Sequence, residues 1–209
     1  MQLVRHQHGK HQRAKGNPDC GDFQTLYTDV MTRTALDDRC VVLIGLMGAG
    51  KTTVGRRLAA IMDRPFNDAD HEIERAAGRS VSEIFNDFGE AAFREGERKV
   101  IARLLDEAPM VLALGGGSFV DPQTRALVKE RAVSVWLQAD IETLATRVAR
   151  RDTRPLLRDG DPLEILGNLL ETREPAYAEA DIRIDASAGN HQATAQIILA
   201  ALKDWEAVQ

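Results

Sequence analysis

Lys51 and Thr52 close the run Gly45-x-x-x-x-Gly50-Lys51-Thr52, whose residue types and spacing suit the holding of a polyphosphate. The glycines let the backbone turn its N–H groups inward, and a helix starting there would add partial positive charge. The ammonium of Lys51 can reach the β- and γ-phosphates, and the Thr52 hydroxyl can meet Mg²⁺. Three further sets could add chemistry. Asp68-x-Asp70 offers two carboxylates, one for Mg²⁺ and its waters and one for a substrate hydroxyl; a solvated pair of turn aspartates has the same spacing. Gly115-Gly116-Gly117 lets the backbone pass close to a ligand, or makes a plain turn. Arg94, Arg154 and Arg173 carry rigid forks suited to carboxylate or phosphate, although spacing alone does not pick them out from the other arginines. Together these residues describe an ATP- or GTP-using P-loop enzyme with a second, anionic and hydroxylated substrate.

The elements that must position these residues alternate between strand and helix. Apolar runs at 40–44, 110–114 and 133–137 read as buried parallel strands, with a short strand at 64–68 and a partly alternating one at 181–185. Val54, Leu58 and Ile61 mark one face of a helix after the phosphate loop. Helices are expected near 71–77, 81–88 and 90–107, punctuated by Gly78 and Gly89, with Ser80-x-x-Glu83 as a capping box. Others are expected from Asp121-Pro122, over 140–150, 162–172 and 191–206. The fold class is therefore α/β: a five-stranded parallel sheet with helices on both faces. In such sheets ligands bind at the carboxyl ends of the strands, and the four polar sets fall there or on adjoining loops.

A chain of 209 residues suits one such domain, expected over 39–209. Residues 1–38 contain His6, His8 and His11 among basic and polar residues. Metal binding is the sharper reading of that segment; a solvated, mostly disordered extension is the one adopted. The polar, charged stretch at 150–161 reads as an exposed, mobile lid. A net charge of −5 gives no field that would gather nucleic acid, and no apolar run is long enough for a membrane span. Cys20 and Cys40 have no metal-ligand spacing, which fits a reducing cytoplasm.

Seven motifs in chain order resemble those of the shikimate kinases, a branch of the nucleoside-monophosphate-kinase-like P-loop enzymes. They are Gly45-Leu46-Met47-Gly48-Ala49-Gly50-Lys51-Thr52, Asp68-Ala69-Asp70, Glu83-Ile84-Phe85, Phe93-Arg94-x-x-Glu97, Gly115-Gly116-Gly117, Arg154-Pro155-Leu156-Leu157 and Arg173-x-Pro175-x-Tyr177. Thr52 replaces the more usual serine, and Leu114 stands where the family often has threonine. The resemblance implies a P-loop kinase fold with a substrate-binding region at about 70–100 and a lid at about 150–161. It implies transfer of the ATP γ-phosphate to the 3-hydroxyl of shikimate, in the pathway to chorismate and aromatic amino acids. By motif, Gly48, Ala49, Gly50, Lys51, Thr52 and Thr53 would hold ATP, and Thr52 and Asp68 would hold one Mg²⁺ per subunit. Asp70 would bind shikimate hydroxyls, Arg94 and Arg173 its carboxylate, and Gly116 and Gly117 would line the site. Arg154 would reach from the lid to the transferring phosphate, making Lys51, Asp70 and Arg154 the catalytic group. The expected enzyme is a cytoplasmic monomer acting on shikimate and ATP, without nucleic-acid or membrane partners. A gluconate kinase and a nucleotide-dependent binding protein are the alternatives.

Overall fold

Every residue of the first strand, β1 (Cys40–Ile44), is buried, and neighbouring residues of a strand point to opposite faces, so both faces of the sheet are covered. The computed structural model describes residues 36–107, 109–149, 160–188 and 190–208. Arg154, with 150–159 of the expected lid, lies outside the described residues, as do residues 1–35. The remaining strands are β2 (Phe66–Asp68), β3 (Val111–Ala113), β4 (Ala132–Gln138) and β5 (Ile182–Asp185). All pair in parallel, in the order β2-β3-β1-β4-β5. The chain leaves β1 for β2 by stepping over β3, and later returns to the other side of β1 as β4. The carboxyl end of β1 is thus a switch point in the strand order, where such sheets open a crevice.

Seven helices flank the sheet among the described residues: α1 (Lys51–Met62), α2 (Ala69–Ala77), α3 (Val81–Asp106), α4 (Pro122–Arg131), α5 (Ile141–Ala149), α6 (Pro162–Tyr177) and α7 (His191–Glu206). Their starts follow the sequence signals. Ser80 and Glu83 form the reciprocal capping box of α3, and Asp121 accepts from the Thr124 N–H ahead of Pro122. Helix α1 packs against α7, and the side chains between them and the sheet join one core that includes Leu58, Ile198 and Leu202. Leu36, within the segment set apart as an extension, also belongs to that core. Its N–H donates to Glu206 and its carbonyl accepts from Arg64.

Two departures bear on the site. Helix α6 does not stop at 172 but continues through Pro175 to Tyr177. Proline costs a helix one N–H donor, and near the end of α6 that loss is confined to one bond of the last turns. Arg173 and Tyr177 are therefore four residues apart on one helical face. Helix α3, in contrast, is interrupted as expected: Gly89 has φ 78° and ψ 172°, a region essentially reserved for glycine. This break sets the direction of residues 90–106, which carry Arg94.

Nothing lies within 4 Å of a β-carbon placed on Gly89, so backbone strain alone decides what a substitution does there. Gly89→Ala should cost about 1–3 kcal/mol of stability, read as a lower urea midpoint at unchanged slope. An unchanged midpoint would show that the break is not required.

Candidate active site

The loop after β1 wraps into α1 through Gly50, the helix N-cap, whose φ of 91° and ψ of 14° are left-handed. A glycine meets that requirement without the steric cost of a β-carbon. The first backbone N–H groups of α1 have no partner within the helix and face the switch-point crevice. Lys51 folds back over the loop, its Nζ donating to the carbonyls of Gly45 at 2.9 Å and Leu46 at 3.1 Å. This holds an ammonium at the place where phosphate oxygens would accumulate. The adjoining cleft has a volume of about 490 Å³ and is lined by the loop, Asp68, Asp70 and Gly116, with Arg147, His71 and His191 at its margins.

Thr52 and Asp68, sixteen residues apart in sequence, meet at 2.7 Å between Oγ1 and Oδ2. Asp68 ends β2 and caps α2, its other oxygen accepting from the Asp70 N–H at 3.2 Å. The cap explains the spacing of Asp68-x-Asp70. One carboxylate is fixed toward Thr52, while the other is carried on the first turn of α2 toward the loop after β3.

That loop is Gly115-Gly116-Gly117, and each glycine faces a different side chain. A β-carbon on Gly115 would stand 2.6 Å from Asp70 Oδ1. One on Gly116 would stand 3.0 Å from Arg173 Nη1, and one on Gly117 2.5 Å from Arg94 Nη2. Contacts this short exclude a side chain unless the facing group moves. The three glycines thus stand in close approach to side chains of the protein itself, Asp70, Arg173 and Arg94. The loop joins three residues from three elements: Asp70 on α2, Arg94 on α3 and Arg173 on α6.

The loop itself is pinned by its own polar groups. The carbonyls of Gly115 and Gly117 accept from the N–H groups of Ser118 and Val120, and that of Gly116 accepts from the Tyr177 hydroxyl. Beneath it lies Glu97, whose side chain is 1% exposed. Its Oε1 accepts from Ser118 Oγ at 2.6 Å and its Oε2 accepts from Arg94 Nη1 at 2.6 Å. A buried carboxylate requires such partners. Burial of Arg94 favours loss of its proton, but the hydrogen bond and charge of Glu97 outweigh burial and raise the guanidinium pKa. Arg94 therefore keeps its charge and its direction together.

Glu97 and Ser118 received no role from the sequence. Glu97 does carry a signal: it lies on the same stripe of α3 as Phe93 and Ile101, both buried, and a charged residue on an apolar stripe needs a partner. Arg147, which holds the carbonyls of Ala186 and Ser187 at the cleft margin, has no comparable signal.

A phosphate loop at the switch point of a β2-β3-β1-β4-β5 sheet, opening onto a cleft also lined by Asp68, Asp70 and Gly116, defines a P-loop phosphotransferase. The family model described as shikimate kinase matches residues 47–203. A shikimate kinase of Caulobacter vibrioides is 57% identical over 169 residues, which span 81% of this chain and 84% of that protein. One of Paramagnetospirillum magneticum is 61% identical over 149 residues, 71% of this chain and 76% of its own. The solved structure of shikimate kinase from Acinetobacter baumannii in complex with shikimate superposes with a TM-score of 0.76 at 40% identity, covering 79% of this chain and 93% of that one. The chain belongs to the shikimate kinase family. Membership decides between the sequence alternatives: the chain is an ATP-dependent kinase and not a gluconate kinase or a switch protein without a small substrate.

The glycine loop yields a sharp test. In Gly117→Ala the new methyl takes the space beside Arg94 Nη2, and displacing the end of a long side chain costs the fold little. The Michaelis constant for the acceptor should rise at least about tenfold, the loss of one charge-assisted contact. That for ATP should stay within about twofold, because the phosphate loop is untouched. An unchanged acceptor constant would detach Arg94 from acceptor binding.

Proposed function

We propose that the chain transfers the γ-phosphate of ATP to the 3-hydroxyl of shikimate with the following division of labour among its side chains. Gly48 to Thr53 take the triphosphate, their N–H groups and the α1 terminus facing its oxygens. Lys51 exchanges its two carbonyl partners for β- and γ-phosphate oxygens and neutralises charge there as the bond to the leaving ADP loosens. Asp70 receives the hydrogen bonds of the acceptor hydroxyls and aligns the attacking oxygen with the γ-phosphorus. Arg94 and Arg173 receive the acceptor's carboxylate, with Gly116 and Gly117 as the floor between them. Arg154, from the segment between α5 and α6, joins Lys51 on the transferring phosphoryl group.

Thr52 and Asp68 are hard oxygen donors held 2.7 Å apart beside the phosphate loop, a donor set suited to one Mg²⁺ per subunit. When bound, the ion held by Thr52 and Asp68 would offset the negative charge of the phosphate oxygens. The fixing of Asp68 by the α2 cap keeps its oxygens turned toward that position before nucleotide arrives.

The observation that carries this reading is the glycine loop with one carboxylate and two guanidinium groups laid across it. A ring bearing hydroxyls at one side and a carboxylate at the other complements that arrangement. An acceptor without an anionic group would leave two guanidinium forks without the partner they suit. The reading extends to a cytoplasmic monomer without nucleic-acid or membrane partners. Its net charge of −5 supports this in part, and no helix among the described residues is long and apolar enough to cross a membrane.

Shikimate should stimulate ATP turnover far above hydrolysis in buffer with Mg²⁺, while gluconate should not. In Lys51→Met the stimulated rate should fall by about two to three orders of magnitude with the thermal midpoint retained. Stimulation by gluconate and not by shikimate would overturn the substrate assignment. Near-normal turnover in Lys51→Met would remove the lysine from the chemistry.

A further inference from the structure

Helix α6 brings Arg173 to the glycine loop, yet its own last turns contain Pro175, which cannot supply the N–H that would bind the preceding turn. What holds this end of α6 against the loop is Tyr177. Its ring is 1% exposed and packs on Trp136 with centroids 5.8 Å apart and planes at 43°. Its hydroxyl donates to the carbonyl of Gly116. On the other side of the same residue, a β-carbon on Gly116 would stand 3.0 Å from Arg173 Nη1. One glycine thus meets two side chains that lie four residues apart on one helix: Tyr177 through its carbonyl and Arg173 across its Cα.

The two side chains also act on each other. Burial raises the pKa of the Tyr177 hydroxyl, and the nearby charge of Arg173 opposes that rise. The proton of the hydroxyl goes to Gly116. A phenyl ring of the same shape would keep the packing on Trp136 and lose this bond.

We propose that Tyr177 is a positioning residue for the acceptor's carboxylate. Its hydroxyl ties the end of α6 to Gly116, and so sets where the Arg173 guanidinium carried by that helix stands relative to Arg94. The counterpart on the other side is Glu97, which fixes Arg94 to the same loop through Ser118. The two forks are thereby referenced to adjacent glycines, Gly116 and Gly117. The proposal rests on the reading of Arg173 as a carboxylate ligand. It adds that the fork is held in place before the acceptor binds, so that little ordering remains to be done on binding.

Tyr177→Phe keeps the ring against Trp136 and removes only the bond to Gly116. The Michaelis constant for shikimate should rise about fivefold, the loss of one hydrogen bond, while that for ATP should stay within about twofold and kcat within about threefold. In an Arg173→Ala background, Tyr177→Phe should change the shikimate constant no further, because the fork it positions is gone. A shikimate constant within twofold of the parent's overturns the proposal, with or without a fall in thermal midpoint; a fall in midpoint alone is the signature of a core role. Equal effects of Tyr177→Phe in both backgrounds overturn it as well, because the hydroxyl would then act independently of Arg173. Failure of the parent protein to phosphorylate shikimate at all would instead count against the reading on which the proposal rests.

Discussion

Three consecutive positions without β-carbons set the geometry on which the rest of this site depends. At Gly115, Gly116 and Gly117 the backbone lies so close to Asp70, Arg173 and Arg94 that a methyl group would stand 2.5–3.0 Å from each. The bare backbone of this loop leaves room for side-chain ends from three elements far apart in sequence. The loop can serve as a reference surface only because its carbonyls are already satisfied by Ser118, Tyr177 and Val120. The same glycines that leave space for the side chains would by themselves leave the loop loose, and the surrounding hydrogen bonds remove that looseness.

Charge is managed in the same way on both sides of the cleft. Lys51 is held by two carbonyls of its own loop, and Arg94 by the buried carboxylate of Glu97. In each case protein groups fix the direction of the cation. Such preorganisation matters for phosphoryl transfer, in which the protein contributes positioning and charge stabilisation and little covalent chemistry. Glu97 also makes the arrangement interdependent: its burial would be prohibitive without Arg94 and Ser118, and Arg94 would be free to swing to solvent without Glu97.

The sheet was legible because strands buried on both faces read as unbroken apolar runs, and β1, β3 and β4 are such runs. Helix starts were legible because caps act locally, as at Ser80 and Asp121. The end of α6 was not, because Pro175 signals a stop and the tether that carries the helix to Tyr177 comes from a loop some sixty residues away. Among the site residues, the phosphate loop could be read from spacing alone. The spacing of Asp68 and Asp70 was also that of a solvated turn pair; the α2 cap shows how the two carboxylates come to point different ways. Spacing did not pick out Arg94, Arg154 or Arg173 in a chain with 27 lysines and arginines; family motifs selected them, and the structure places Arg94 and Arg173 against the glycine loop. Glu97 was hidden by the habit of reading a helical stripe through its apolar members. Its carboxylate is the one charged group on the buried face of α3.

The assignment of Arg94 and Arg173 to a carboxylate is tested most directly by comparing shikimate with its methyl ester as acceptors for the parent protein and for Arg94→Ala. The ester keeps the ring and hydroxyls for Asp70 but offers the two guanidinium groups no negative charge. A buried charge-assisted contact is worth roughly 2–5 kcal/mol, so the parent's kcat/KM should favour the acid by about 30-fold to several thousandfold. In Arg94→Ala most of that preference should vanish, with the loss falling on the acid and not on the ester. Equal kcat/KM for acid and ester in the parent, or a preference undiminished in Arg94→Ala, would contradict the assignment.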